Sequence, residues 1–157
     1  MFLIQSESEL LSAFRPRDRN GFEPPAGVKY PLVARDYYAW VDPTGVRAHL
    51  VLQEPSTGRL LGITFRRDSG GGGAAGRMCD WCHSYGSADE IGLLTAERSS
   101  RKRVGVLICR DLRCREKLED AADLAGRASV EARRRTVQRM LRFAREGLGI
   151  ESVPADV

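Results

Sequence analysis

Met78-Cys79-Asp80-Trp81-Cys82-His83-Ser84 and Ile108-Cys109-Arg110-Asp111-Leu112-Arg113-Cys114 together carry all four cysteines of the chain. A gap of two residues lets both sulfurs of a knuckle reach one ion, and zinc takes four soft ligands in a tetrahedron at ~2.3 Å. The second gap, of four residues, serves the same end if Cys109 closes a strand and Cys114 lies in the first turn of a helix. There the helix N-terminus, with Arg110 and Arg113, would help to hold thiolate charge. Cys79, Cys82, Cys109 and Cys114 are therefore expected to ligate one structural zinc. Three other readings stand beside this one. Cys-x-x-Cys-His also matches a c-type haem attachment pattern, with His83 as axial ligand, but leaves the second pair unexplained. A thioredoxin-like redox motif needs a βαβ surround that the sequence lacks. Four buried, unpaired cysteines are the plainest alternative. His83 could replace a cysteine as ligand, or orient the knuckle by bonding a sulfur.

The pattern around the cysteines sets the order of elements. Residues 91–96 and 104–108 read as two strands joined by a turn at Ser99-Ser100-Arg101-Lys102-Arg103. Asp111 has N-cap character. Leu118, Ala121, Ala122 and Ala125 fall at helical spacing, as the buried edge of a helix that ends at Gly126. A second helix is expected from Ser129, with Val130, Val137, Leu141, Ala144 and Leu148 as its core stripe and Arg135, Arg139 and Arg142 opposite. Phe143 projects on the polar side, with Met140 at the edge, and reads equally as an exposed apolar contact or as a ring tucked against neighbouring structure.

Upstream, Ser6 and Glu9 have capping-box spacing, and Leu10, Leu11 and Phe14 give a short helix its apolar edge. Pro16 predicts that this helix ends near Phe14 and that residues 15–27 form a loop. Tyr37-Tyr38-Ala39-Trp40-Val41 is strand-like and stops at the turn composition Asp42-Pro43-Thr44-Gly45. Val46, Ala48, Leu50 and Leu52 then alternate with Arg47, His49, Val51 and Gln53, the pattern of a half-buried strand. This places His49 on the exposed face. After a turn at residues 54–58, Leu61, Ile63 and Phe65 share one face of the returning strand. Residues 69–76, with five glycines, predict a flexible connector. They lack the Gly-Lys-Ser/Thr ending of a phosphate-binding loop.

The expected architecture is α+β in one domain of residues 1–157. A short helix and antiparallel strands (1–68) lead through the connector (69–76) to the cysteine-bearing unit (77–126) and a basic amphipathic helix (127–149). At 157 residues one core suffices. No apolar run approaches the ~20 residues that span a bilayer, and Met1 to Glu7 has no signal-peptide character, so the cytoplasm is expected. A reducing cytosol favours metal-bound thiolates over disulfides.

The net charge of +4 is modest but unevenly placed. Residues 98–115 hold seven basic side chains against Asp111, and residues 127–146 hold seven arginines against Glu131 and Glu146. Such clustering points to an acidic partner. Four thiolates would leave zinc no open position, and neither a Ser/His/Asp set nor paired carboxylates stand out. The protein is therefore expected to be no enzyme and to take no small-molecule substrate.

Residues 77–84, Gly92-Leu93-Leu94-Thr95-Ala96-Glu97-Arg98 and residues 104–114 resemble the treble-clef zinc-finger domain of the elongation factor G-binding proteins. That group includes the proteins that confer fusidic acid resistance. The likeness extends through the basic helix and back to residues 37–43. It implies a cytoplasmic α+β zinc protein, here as a stand-alone domain, in which Cys79, Cys82, Cys109 and Cys114 bind the metal. It also implies a grip on the C-terminal domains of elongation factor G that promotes release from a stalled ribosome. The resistance proteins carry an additional N-terminal helical domain, whereas a short helix and strands precede the knuckle here. The partner surface is expected at Arg101, Lys102 and Arg103 on the hairpin and at Arg135, Arg139, Arg142 and Phe143 on the helix. The alternative is a ribosome- or RNA-binding finger that places the same arginines on phosphates. The lack of interleaved aromatics for base stacking favours a protein partner.

Overall fold

The computed structural model describes residues 1–68 and 76–150; most of the expected glycine-rich connector, residues 69–75, lies outside them. The fold is α+β. In chain order come β1 (Phe2–Ile4), α1 (Glu7–Ser12), α2 (Pro16–Arg19), β2 (Leu32–Ala34), β3 (Tyr38–Val41), β4 (Arg47–Gln53) and β5 (Leu60–Arg67). Then follow β6 (Arg77–Met78), β7 (Tyr85–Gly86), β8 (Ile91–Ser99), β9 (Lys102–Cys109), α3 (Cys114–Ala125) and α4 (Val130–Arg142), with a π-helical turn at Phe143–Gly147. Five strands form one antiparallel sheet in the order β3-β4-β5-β8-β9, and β1-β2 and β6-β7 are small antiparallel pairs.

The first helix forms as its cap predicts. The Glu9 amide donates to Ser6 Oγ at 3.1 Å, while the Glu9 carboxylate accepts from the Gln5 amide at 2.7 Å, satisfying two backbone donors at the helix start. Pro16 ends that helix, but it also opens α2 within the expected loop. A missing N–H costs nothing at the first helical position, and proline's fixed φ suits it. Phe14, between the two helices, is buried and lays its ring on Gly62, where a Cβ would come within 2.6 Å of it.

Strand β4 departs from its alternating pattern. Ala48, His49, Leu50, Val51 and Leu52 are all buried, so the strand is covered on both faces. The expectation of an exposed His49 is overturned: it is 1% exposed, because α1, α2 and β1-β2 fold over that face. Ala48, Leu50, Leu52, Leu61, Ile63 and Phe65 face the larger core, with Trp81, the cysteines, Met140, Leu141, Ala144 and Leu148. Val51 belongs to the smaller core, with Phe2, Ile4, Leu10, Phe14 and Ala34.

Helix α3 begins at Cys114 and ends in a left-handed Gly126 (φ 65°), as predicted. Its N-cap is Arg113, not Asp111, whose carboxylate accepts from the Arg113 amide at 3.3 Å. The expected buried edge of α3 is mostly absent: Ala121 and Ala125 are exposed, and Leu118 and Ala122 are half-buried. Along α4 and the π-helical turn that continues it, Leu141, Ala144 and Leu148 are buried as expected, together with Met140 and Thr136, while Val130 is exposed at the start of α4.

Candidate metal centre

The short β6-β7 hairpin carries the knuckle at its tip. The Cys79 amide donates to the Ser84 carbonyl (2.9 Å) and the His83 amide to the Cys79 carbonyl (2.9 Å). His83 closes this turn with φ 61° and its side chain is exposed. The Asp80 amide donates to the Leu107 carbonyl at 2.8 Å, which fastens the knuckle to β9. Cys109 is the last residue of β9 and Cys114 the first of α3, the arrangement the four-residue gap requires. Leu112 between them takes φ 60°, and its amide donates to the Cys109 carbonyl at 3.1 Å.

All four sulfurs are buried and lie within 4.8 Å of one another, forming a set that could hold one metal ion. Cys79 Sγ is 3.7 Å from Cys114 Sγ, and Cys82 Sγ is 3.8 Å from Cys109 Sγ. A tetrahedron of sulfurs at ~2.3 Å from zinc has edges of about 3.8 Å, so the donor set fits that ion. A disulfide would bring two sulfurs to ~2.05 Å, and the four cysteines are free. Hydrogen bonding with Cys109 and then Cys114 draws the Cys79 thiol down to about 7. Cys82 is drawn down by Cys109 first as well, whereas hydrogen bonding with Cys109, together with burial, pushes Cys114 up. A cluster of this kind cannot ionise fully without a cation among its sulfurs. Arg110 is engaged elsewhere, donating to the Asp68 carbonyl at 2.8 Å.

Trp81, between the knuckle cysteines, is the pivot of the surrounding packing. It is 2% exposed and lies edge-on to Phe65 (5.8 Å) and Phe143 (5.9 Å), which stack on each other at 5.8 Å. Each such pair adds ~0.5–1.5 kcal/mol beyond burial. The Trp81 carbonyl accepts from Thr136 Oγ1 at 3.3 Å and Arg139 Nη1 at 2.6 Å, so α4 is docked onto the knuckle. Of the two readings open for Phe143, the structure favours the second: the ring is half-buried and tucked against its neighbours, completing this aromatic cluster, which argues against a free contact. Arg139 is likewise turned inward and half-buried.

The remaining expected partner residues are split between two places. Arg101, Lys102 and Arg103 gather at the β8-β9 turn, where Arg103 pairs with Glu97 at 3.0 Å. Arg135 pairs with Glu131 on α4 at 3.2 Å, and Arg142 is exposed. Arg98 links the two groups by donating to the carbonyls of Glu146 (2.9 Å) and Gly147 (2.6 Å).

Two further residues hold the second cysteine pair, and neither stands out in the sequence. Buried Tyr37 donates from its hydroxyl to the Leu112 carbonyl at 2.5 Å and accepts from the Arg115 amide at 3.0 Å. Burial pushes its phenol well up. Arg115 lies over the Tyr37 ring at 5.0 Å and donates to the Arg35 and Tyr37 carbonyls at 2.5 and 3.0 Å. Their only signal in the sequence is an aromatic run that reads as strand.

A knuckle, a hairpin and a helix that together bring four thiols to one point define a zinc finger of the treble-clef class. The chain belongs to the family described as the FBP C-terminal treble-clef zinc-finger, whose model matches residues 10–146. Among solved structures, that of the fusidic acid resistance protein FusC is similar at 18% identity and a TM-score of 0.47, covering 70% of this chain and 48% of that one. The chain thus spans about half the length of that structure. No curated protein sequence matches it. Among the described residues, no helix is long and apolar enough to cross a membrane.

Proposed function

We propose that Cys79, Cys82, Cys109 and Cys114 hold one zinc ion, and that this centre positions surfaces with which the protein binds translation elongation factor G in the cytoplasm. Binding would promote release of the factor from the ribosome. The observation that carries this reading is the family match over residues 10–146, which includes all four cysteines. Four sulfurs complete a tetrahedral shell and leave no place for water or substrate, so the metal acts on folding and not on chemistry. Arg101, Lys102 and Arg142 are exposed and have no hydrogen-bonded or ion-pair partner for their side chains among the described residues, which makes them the cations most available to an acidic partner. Calorimetric titration of the zinc-loaded protein into purified elongation factor G tests the reading. Saturable binding is expected, weakened in a variant carrying Arg101→Gln, Lys102→Gln and Arg142→Gln. No heat of binding at tens of micromolar would sink it.

A further inference from the structure

Strands β4, β5, β8 and β9 present a second face, away from the cysteines. Its side chains alternate with those of the larger core, and α2 overhangs its edge. Between α2 and the sheet lies a groove of about 700 Å³, lined by Arg17, Arg47, Arg66 and Arg103 among others. We propose that this groove binds a phosphate-bearing ligand, gripped by Arg17, Arg47 and Arg66.

The strand register makes the case. Arg47 and Arg66 are direct partners across the β4-β5 ladder. Like charges placed opposite one another in this way are destabilising unless something neutralises them. Arg66 is exposed and its side chain has no hydrogen-bond or ion-pair partner among the described residues, and the same holds for Arg17. Arg47 donates through Nη1 to the Asn20 carbonyl at 3.0 Å, a contact that fixes the side chain without neutralising it. The acids that line the groove are already matched. Asp18 is paired with Arg15 at 3.0 Å, and Glu97 with Arg103 at 3.0 Å. What remains is an excess of guanidinium with no counter-charge from the protein.

The chemistry of the ligand follows from how those groups are arranged. Guanidinium forks recognise planar carboxylates and tetrahedral phosphates alike. Three of them lining one groove need more acceptor oxygens than the two in-plane oxygens of a carboxylate, and a phosphate supplies more. The one aromatic residue in the lining, Phe65, is fully buried and offers no face for a base to stack on. Recognition therefore concerns the phosphate and not the base. The phosphate could come from a free ion or from an RNA backbone, and the two are separable by experiment. The inference does not rest on factor binding, because the groove lies on the sheet face opposite the cysteine cluster.

The test uses the full, zinc-loaded chain with inorganic phosphate, a 12-nucleotide single-stranded RNA and a glutamate peptide of matched charge. Binding is followed by chemical-shift perturbation and by anisotropy. Phosphate and RNA should shift the same groove resonances and compete. Arg66→Gln should weaken both by roughly tenfold, since a hydrogen bond to a charged group contributes ~1.5–3 kcal/mol. Lys29→Gln, an exposed cation outside the groove, should leave both unchanged. RNA binding should also become less salt-dependent in Arg66→Gln, the log–log slope falling by ~0.7 for each phosphate that is no longer neutralised. RNA outcompeting free phosphate by orders of magnitude would assign the ligand as a nucleic-acid backbone, and parity would assign a small phosphate. In phosphate-free buffer Arg66→Gln should be at least as stable as the parent, because the like-charge pair is relieved. Destabilisation there would give Arg66 a structural role and overturn the proposal. So would equal losses in Arg66→Gln and Lys29→Gln, or a peptide that binds as tightly as the RNA.

Discussion

On one face of the five-stranded sheet the core is closed by four sulfurs, Trp81 and α4; on the other it is closed by Phe14, Phe22 and Trp40 around His49. The first face depends on distant segments meeting at a point, where four sulfurs form a set that could hold a metal ion. The second depends on short helices and a β-ribbon folding over a strand that is otherwise ordinary. It buries a histidine whose Nδ1 meets Thr64 Oγ1 at 3.0 Å and whose Nε2 has no hydrogen-bond partner among the described residues. A small protein thus carries two cores with different weaknesses, one to chelators and one to acid.

The contrast can be broken most severely from the metal side. Structural zinc contributes ~10 kcal/mol or more of apparent folding energy in small fingers, so chelation or Cys109→Ala should unfold residues 77–126. Loss of far-ultraviolet circular dichroism is the readout, and an unchanged spectrum after full metal removal would contradict the assignment. Trp81→Ala comes next. Removing a fully buried tryptophan costs ~3–5 kcal/mol, seen as an earlier urea midpoint with zinc still bound.

The acid-sensitive face should respond less. Burial lowers the His49 pKa from 6.5 to about 4. The unfolded chain therefore takes up this proton first, and stability is full above pH 6.5 and falls as the pH drops towards 4. The loss from His49 amounts to ~3 kcal/mol over that window. Thermal melts across it should fall more steeply for the parent than for His49→Leu, and parallel curves would remove His49 as the cause. The smallest effect is expected at the seam between the faces. Tyr37→Phe leaves the Leu112 carbonyl and the Arg115 amide without their partner, at ~1–3 kcal/mol. Zinc affinity should fall with it, because that hydroxyl steadies the loop between Cys109 and Cys114; unchanged affinity would confine Tyr37 to packing.

The metal centre is legible in the sequence because ligand spacing is a local property. Two sulfurs two residues apart, and a pair bridging a strand end to a helix start, need only the geometry of a turn. The cap at Ser6 and the stop at Gly126 are legible for the same reason. His49 defeats such reasoning, and Phe143 leaves it undecided, because each sits on the polar side of its own stretch of sequence. Periodicity reports which face of a strand or helix is apolar, but not what else lies against the other face. The α3 edge at Ala121 and Ala125 errs in the opposite sense, since an apolar stripe needs a surface to meet and these two positions stay exposed.

The sequence by itself determined the α+β class, the order of knuckle, hairpin and helix, and the four cysteines, since these rest on contacts between near neighbours in the chain. Tertiary structure alone decided that Trp81 would anchor α4, that Tyr37 would clasp the loop between Cys109 and Cys114, and that Arg47 and Arg66 would stand side by side beneath α2. Each of those depends on which segments pack together, and no local preference encodes a meeting between residues as far apart as Trp81 and Arg139.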